Sequence, residues 1–202
     1  MAIEIERKAW VRDPDGLRTF LITRLGRPEA LEKRDEYFIE PQWAAEAAAH
    51  QAPAAGAGGR VRRQCRLRQQ GSRAIATAKV RRLVEGTEVN QEIEFEVSAP
   101  DEYRRFVLEY LGFEPHIDKH KRTQVFRHPK ATVELSEVMG LGWFLEVEVL
   151  ADREDELEAV SRGVLDPIFR ECLQWLGPVE ERQYTALLKE ARAGQTPRPA
   201  GE

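Results

Sequence analysis

One alternation recurs along this chain: extended segments in which every second residue is charged or polar and most residues between are apolar. In Glu4-Ile5-Glu6-Arg7-Lys8, a β-strand places Glu4, Glu6 and Lys8 on one face and Ile3, Ile5 and Ala9 on the other. Gln64, Arg66 and Arg68 alternate with Cys65 and Leu67, and Thr77, Lys79 and Arg81 alternate with Ala78, Val80 and Arg82. Glu92, Glu94 and Glu96 oppose Ile93, Phe95 and Val97, while Glu146 and Glu148 oppose Leu145, Val147 and Val149. The wet face of an ordinary antiparallel sheet mixes Thr, Ser, Gln and Lys. Here the charges segregate by segment instead, cations on some and carboxylates on others. A sheet closed into a barrel, with its apolar side outward beneath helices, would line its lumen with those charges.

Strands are expected near residues 2–10, 34–40, 61–69, 74–83, 89–97, 117–127, 131–138 and 143–150. Helices are expected over 14–24, 100–111, 153–162, 164–176 and 180–193, with Ser98 or Asp101 capping the second and Gly112 stopping it. The fold class that follows is α+β: an eight-stranded antiparallel β-barrel, or tunnel, with flanking helices. The 202 residues suit one domain over 1–193, with a disordered tail over 194–202. The Ala/Gly/Pro-rich stretch 41–60 reads as an inserted surface loop or a frayed helix.

The net charge of -4 argues against a nucleic-acid binder that works by overall attraction, so any anion site must be a local concentration of Lys and Arg. No stretch has the apolar length of a membrane span and no signal core is evident, which makes a cytoplasmic location the expectation. Cys65 and Cys172 lack CxxC spacing and read as reduced structural thiols. His50, His116, His120 and His128 show no metal-ligand spacing. Trp10, Trp143 and Trp175 are expected to pack between barrel and helices, while Trp43 lies in the Ala/Gly-rich stretch.

A lumen lined by both signs of charge is complementary to a polyanion carried with a metal ion. Arg and Lys donate charge-assisted hydrogen bonds to phosphate oxygens. Mg²⁺ and similar cations take a few carboxylates together with phosphate oxygens and water. A triphosphate satisfies both sets.

The residues that carry this chemistry resemble a known family. Glu4-Ile5-Glu6-Arg7-Lys8 is similar to the ExExK signature of the CYTH superfamily, the triphosphate tunnel metalloenzymes, which include class IV adenylyl cyclases, thiamine triphosphatases and inorganic triphosphatases. The likeness continues through Asp35-Glu36-Tyr37-Phe38, Arg66-Leu67-Arg68, Lys79, Glu92-Ile93-Glu94, Lys119 to Arg122, the run Gly140 to Glu148, and Tyr184-Thr185-Ala186-Leu187-Leu188. The resemblance implies an eight-stranded tunnel that binds a triphosphate with Mg²⁺ or Mn²⁺. It implies Glu4, Glu6, Glu146 and Glu148 as metal carboxylates, with Glu134 as a further candidate and Glu92 and Glu94 as other tunnel acids. It implies Lys8, Arg66, Arg68 and Lys79 as phosphate ligands, with Lys8 and Lys79 the catalytic cations; Arg81, Lys119, Lys121 and Arg122 are further phosphate-binding candidates.

Within Lys119-His120-Lys121-Arg122 the inward pair is either Lys119 and Lys121 or His120 and Arg122, because a slip of one residue exchanges the faces. Arg81 and Arg82 pose the same choice. Ser136 stands where many members of the family have an Asp, so a contact supplied there is absent, replaced by water or taken over by Glu134. Chain length and the Tyr184 motif favour a cyclase-like activity, ATP to cyclic AMP and pyrophosphate. A triphosphatase and a non-catalytic triphosphate sensor are the alternatives. The partner expected is a triphosphate small molecule, with no nucleic acid and no membrane; family members are often dimers, which leaves a homodimer open.

Overall fold

A computed structural model of the chain describes residues 3–41, 63–84, 86–195 and 197, except for the side chains of residues 80–82 and 154. The Ala/Gly-rich stretch with Trp43 and His50, and most of the expected tail, lie outside the described residues. The described elements, in order, are β1 (Ile3–Val11), α1 (Pro14–Leu25), β2 (Glu29–Ile39), β3 (Gln64–Gln70), β4 (Arg73–Val84), β5 (Thr87–Glu96) and α2 (Pro100–Arg105), which runs into a π-helical turn at Phe106–Tyr110. Then come β6 (Glu114–His128), β7 (Ala131–Val138), β8 (Gly142–Ala151), α3 (Leu157–Val160), α4 (Asp166–Cys172), β9 (Leu176–Val179) and α5 (Tyr184–Arg192).

The strands hydrogen-bond in the order β5-β4-β3-β2-β6-β7-β8-β1-β9, and a further pairing of β1 with β5 closes the first eight into a barrel. Every pairing is antiparallel. The apolar sides of the strands face out, as the alternation requires. Ile5, Val133, Leu135, Leu145 and Val147 are each 0 % exposed, in one cluster with Leu17 and Leu21 of α1 and Ile168, Phe169 and Cys172 of α4. Burying each such aliphatic side chain contributes about 1.5–3 kcal/mol, so the helices hold the barrel from outside. A smaller cluster of Phe38, Leu67, Ala74 and Val107 seats the α2 region on the opposite flank.

Several boundaries depart from expectation for local reasons. Strand β2 begins at Glu29, well before 34, because its partner β6 starts pairing with it at Val125 opposite Glu29. Neither Ser98 nor Asp101 caps α2: Ala99 occupies the N-cap with no side-chain bond, and Pro100 opens the helix. Residues 176–179, expected as the last residue of one helix and the gap before the next, form β9, an edge strand on β1. Its proline is tolerated because an edge leaves one row of donors unneeded. Trp175 stacks with Phe20 of α1 and Trp143 packs against the outer cluster, as expected. Trp10 does not lie under the outer helices: it packs on Phe144, which meets Tyr184 edge-on, in a cluster that also takes in Val138 and Leu187. This cluster sits on the charged side of β1 and β8, where α5 plugs one end of the barrel.

Candidate active site: a two-faced tunnel

The polar faces converge inside the barrel on a cavity of about 310 Å³. Its lining divides by strand. Glu134 of β7, Glu146 and Glu148 of β8, Glu4 and Glu6 of β1, and Glu88, Glu92 and Glu94 of β5 come from four consecutive strands. Lys79 of β4, Arg66 and Arg68 of β3, Lys33 of β2, and Lys119 and Lys121 of β6 come from the other four. The barrel is therefore acidic over one half and basic over the other, with Lys8 of β1 the cation on the acidic side.

Ion pairs stitch the two halves where they meet. Lys79 Nζ lies against Glu92 and 3.3 Å from Glu4, and Lys121 Nζ donates to Glu146 at 2.6 Å and to Glu134 at 2.9 Å. Burial disfavours the charge on Glu146, but Lys121 and Lys119 outweigh it and hold its pKa well below the usual carboxylate range. Glu134 follows the same pattern, opposed by burial but drawn down to about 2 by Lys121 and Lys33. Lys33 is pushed down to about 8, chiefly by burial and then by the neighbouring Lys121, in spite of its 2.6 Å bond to Glu134.

The basic half contains two arginines in different states. Arg68 forks onto Asp35 through Nε and Nη2 at 2.7 and 2.9 Å, and Lys119 Nζ stands 3.0 Å from the same carboxylate. Arg66 donates Nη2 to Thr77 at 2.8 Å, but its buried Nε has no hydrogen-bond acceptor. A buried guanidinium N–H without an acceptor carries a desolvation cost, which an anionic ligand would relieve.

The acidic half shows the converse. Glu6 and Glu148 are direct cross-strand partners, and no cation among the described side chains lies within ion-pair distance of either. Burial, then Glu146 and Glu88, raises the Glu6 pKa to about 8; burial, then Glu4, raises that of Glu148 to about 7. Carboxylates crowded in this way fit a divalent cation. Among the described residues no three His, Cys or acidic side chains converge into a ready-made cage.

Of the anticipated site residues, Glu4, Glu6, Lys8, Arg66, Arg68, Lys79, Glu92, Glu94, Lys119, Lys121, Glu134, Glu146 and Glu148 all line the cavity. The side chain of Arg81 lies outside the described residues. Arg122 is a correction. The register that pairs Lys33 with Lys121 turns Lys119 and Lys121 inward, at 5 % and 3 % exposed, and turns Arg122 out beside Glu137. His120 likewise faces outward, bonded to Glu32 at 2.7 Å. Ser136 is 0 % exposed on the tunnel face, and its hydroxyl pairs with that of Thr123 at 3.0 Å.

The sequence reading missed Lys33, Tyr37 and Glu88 as lining residues. Each was detectable, since Lys33 and Tyr37 alternate with the buried Asp35 on one face of β2, and Glu88 is in phase with Glu92 and Glu94.

The barrel is thus a β tunnel whose acidic and basic walls face each other. The CYTH domain family matches residues 2–168, and the chain belongs to that family. No curated protein sequence matches it. Among solved structures it is similar to the PH1819 protein of Pyrococcus horikoshii, with a TM-score of 0.70 and 22 % identity over 93 % of this chain and 98 % of that one. It is also similar to a Vibrio parahaemolyticus protein described as a candidate adenylate cyclase, at 0.68 and 18 % over 93 % and 98 %. A third similar structure is a Hippeastrum protein described as a candidate adenylyl cyclase with a dominant triphosphatase activity, at 0.61 and 16 % over 96 % and 97 %. Among the described residues, no helix is long and apolar enough to cross a membrane.

Proposed function

We propose that the tunnel is the active site of a divalent-metal-dependent enzyme acting on a triphosphate, in a reaction like that of class IV adenylyl cyclases. The observation that supports this reading is the division of the lining into halves. A triphosphate on the Arg66, Arg68, Lys33, Lys119 and Lys121 side presents its remaining oxygens to Glu4, Glu6, Glu146 and Glu148. Glu4, Glu6, Glu146 and Glu148 would hold Mg²⁺ or Mn²⁺ there, and the ion would supply charge neutralisation at the phosphoryl group. Glu134 is a weaker candidate ligand, being already bonded to Lys33 and Lys121.

The protein's own part is positioning and charge stabilisation. Arg66, with its spare Nε donor, fixes the chain beside Arg68, which Asp35 holds, while Lys8 from the acidic wall and Lys79 from the basic wall, where it meets Glu92 and Glu4, reach phosphoryl oxygens. The plug at α5 leaves the other end, where the Glu94 side chain is 49 % exposed, as the mouth. A chain entered end-first leaves its nucleoside-bearing phosphorus toward that mouth. The 3′-oxygen of ATP would bond to this phosphorus as the bond to pyrophosphate breaks, with the hydroxyl proton passing to a tunnel carboxylate.

A second reading, hydrolysis at the terminal phosphorus, is favoured by the activity described for the similar Hippeastrum protein. Incubation with ATP, tripolyphosphate and thiamine triphosphate under Mg²⁺ and Mn²⁺ separates the two. Cyclic AMP with pyrophosphate supports the cyclase and orthophosphate release supports the hydrolase. Tight binding without product leaves a sensor, and absence of both binding and turnover rejects the triphosphate tunnel.

A further inference from the structure

The plugged end of the tunnel carries groups that the phosphate and metal sites above do not use. Tyr184 opens α5, is 7 % exposed and projects its ring beneath Lys8 Nζ at 4.4 Å, Lys119 Nζ at 4.8 Å and Lys121 Nζ at 6.0 Å from the ring centroid. Its hydroxyl is buried in the tunnel facing the carboxylates of Glu146, Glu6 and Glu134, Glu146 being close enough to favour the protonated phenol, yet it has no hydrogen bond of normal geometry among the described residues. A buried hydroxyl normally finds a partner, so one left without is stabilised by whatever ligand brings an acceptor.

The helix behind it points the same way. Gln183, Tyr184 and Thr185 line the tunnel, whereas Leu188, Ala191 and Arg192, later in the helix, line a separate outer groove, so the N-terminus of α5 faces the lumen. Gln183 supplies no side-chain cap, and while its carbonyl accepts from Ala186 N–H at 3.0 Å, the N–H groups of Tyr184 and Thr185 have no acceptor from the helix or its cap. This end is firmly held. Lys8 Nζ donates to the Arg182 carbonyl at 2.8 Å, Arg182 forks onto Glu180 at 2.9 and 2.7 Å, and Trp10 Nε1 donates to Glu180 at 2.9 Å. A helix N-terminus, an unpartnered hydroxyl and two nearby ammonium groups at a fixed wall make an anion seat.

We propose that this floor seats the terminal phosphoryl group of the triphosphate. The inference rests on the triphosphate reading above and adds an orientation to it: terminal phosphate at Tyr184, remainder toward Glu94. A fourth phosphoryl group would emerge beside Glu92 and Glu94, where it meets carboxylates and gains nothing. Tyr184 is a substrate-positioning residue here, and its ring has the separate task of packing on Phe144.

The test is calorimetric binding of tripolyphosphate and tetrapolyphosphate, in Mg²⁺, to the wild type, Tyr184→Phe and Arg66→Ala. Tyr184→Phe keeps the ring and removes only the hydroxyl. It should bind tripolyphosphate about tenfold more weakly with an unchanged or higher melting temperature, because a buried unsatisfied hydroxyl is lost. The wild type should bind the two chains within about threefold of one another. Wild-type affinity for tripolyphosphate retained in Tyr184→Phe while Arg66→Ala weakens it, or tetrapolyphosphate bound far more tightly than tripolyphosphate, would overturn the seat and leave the tunnel reading standing. Failure of the wild type to bind either chain would overturn the tunnel reading itself. Should Tyr184→Phe not fold, the comparison of the two chains on the wild type still decides.

Discussion

Glu6 of β1 and Glu148 of β8 face each other across an antiparallel pair, and neither has a described cation within ion-pair distance. Both carboxyls titrate high, at about 8 and about 7. A carboxyl whose pKa is raised by folding contributes stability that is complete below its unfolded value and is lost as pH rises through the folded one. The metal-free protein should therefore lose thermal stability between about pH 4.5 and about pH 8. The lowered carboxyls Glu134, Glu146 and Asp35 do not affect this window, since their contribution is already complete above the ordinary carboxylate range. Mg²⁺ should restore more stability at pH 8 than at pH 5.5, and Glu6→Gln should flatten the slope. Calorimetric melting across that range checks both, and a flat profile in the wild type would remove the crowded pair from consideration.

The same pair predicts a kinetic result. Glu148→Gln keeps the shape of the side chain and removes a charge that burial and Glu4 already disfavour. It should fold with unchanged or greater stability and lose metal-dependent turnover altogether. Turnover at the wild-type rate with saturating Mg²⁺ or Mn²⁺ would show that Glu148 holds no metal.

Arg66 and Arg68, two residues apart on β3, should separate binding from stability. Arg66 has a spare buried donor, so Arg66→Ala should weaken triphosphate binding by about 1.5–3 kcal/mol at little cost in folding. Arg68 is committed to Asp35, whose side chain is 0 % exposed. Arg68→Ala leaves that carboxylate with Lys119 as its nearest cation and should destabilise the fold by about 3–5 kcal/mol. Titration calorimetry paired with chemical denaturation distinguishes them. Equal effects of the two variants on both measurements would contradict the assignment.

Alternation alone made the barrel and most of its lining legible, because a period of two fixes which residues share a face whatever the neighbouring strands are. Glu4, Glu6 and Lys8 needed nothing more. Facing residues across strands were not legible in the same way, since register depends on contacts far apart in sequence. Lys119 and His120 could not be told apart until Lys33 was found opposite Lys121 and the bulge between Tyr37 and Phe38 was placed. The plug was hidden for a similar reason: Trp10 and Phe144 look like outer packing residues until Tyr184, some forty positions beyond Phe144, closes over them. Residues 176–179 carry a Gly-Pro pair that argues against regular structure, and only the free edge of β1 makes them a strand.

That register has a direct test in the neighbours Lys121 and Arg122. Lys121 is 3 % exposed and bonded to two carboxylates, whereas the Arg122 side chain is 66 % exposed. Lys121→Met strands Glu146 and leaves Glu134 with Lys33 alone, and should cost about 3–5 kcal/mol, whereas Arg122→Ala should stay within about 0.5 kcal/mol of the wild type. Only the first should alter triphosphate affinity. Reversed effects in urea denaturation would mean that β6 is placed one residue out.

Ser136 gives the last test, because the structure supplies a reason for a serine at that position. Its cross-strand partners are Phe144 and Thr123, so it lies at the level of the apolar plug rather than among the carboxylates nearer the mouth. An acid there would enter a fully buried site in which Ser136 now pairs with the Thr123 hydroxyl, and the nearby cation Lys121 is already bonded to Glu134 and Glu146. Ser136→Ala should cost about 1 kcal/mol through the lost hydroxyl pair. Ser136→Asp should cost more, and increasingly so as pH rises above the carboxyl's own raised pKa, since the charged form bears the desolvation penalty. Melting temperatures of the two variants between pH 4 and pH 8 measure this. A Ser136→Asp protein as stable as the wild type at the upper end would show that a cation or water reaches this level of the tunnel, and the plug would then have to be less tight than Phe144, Tyr184 and Leu187 make it.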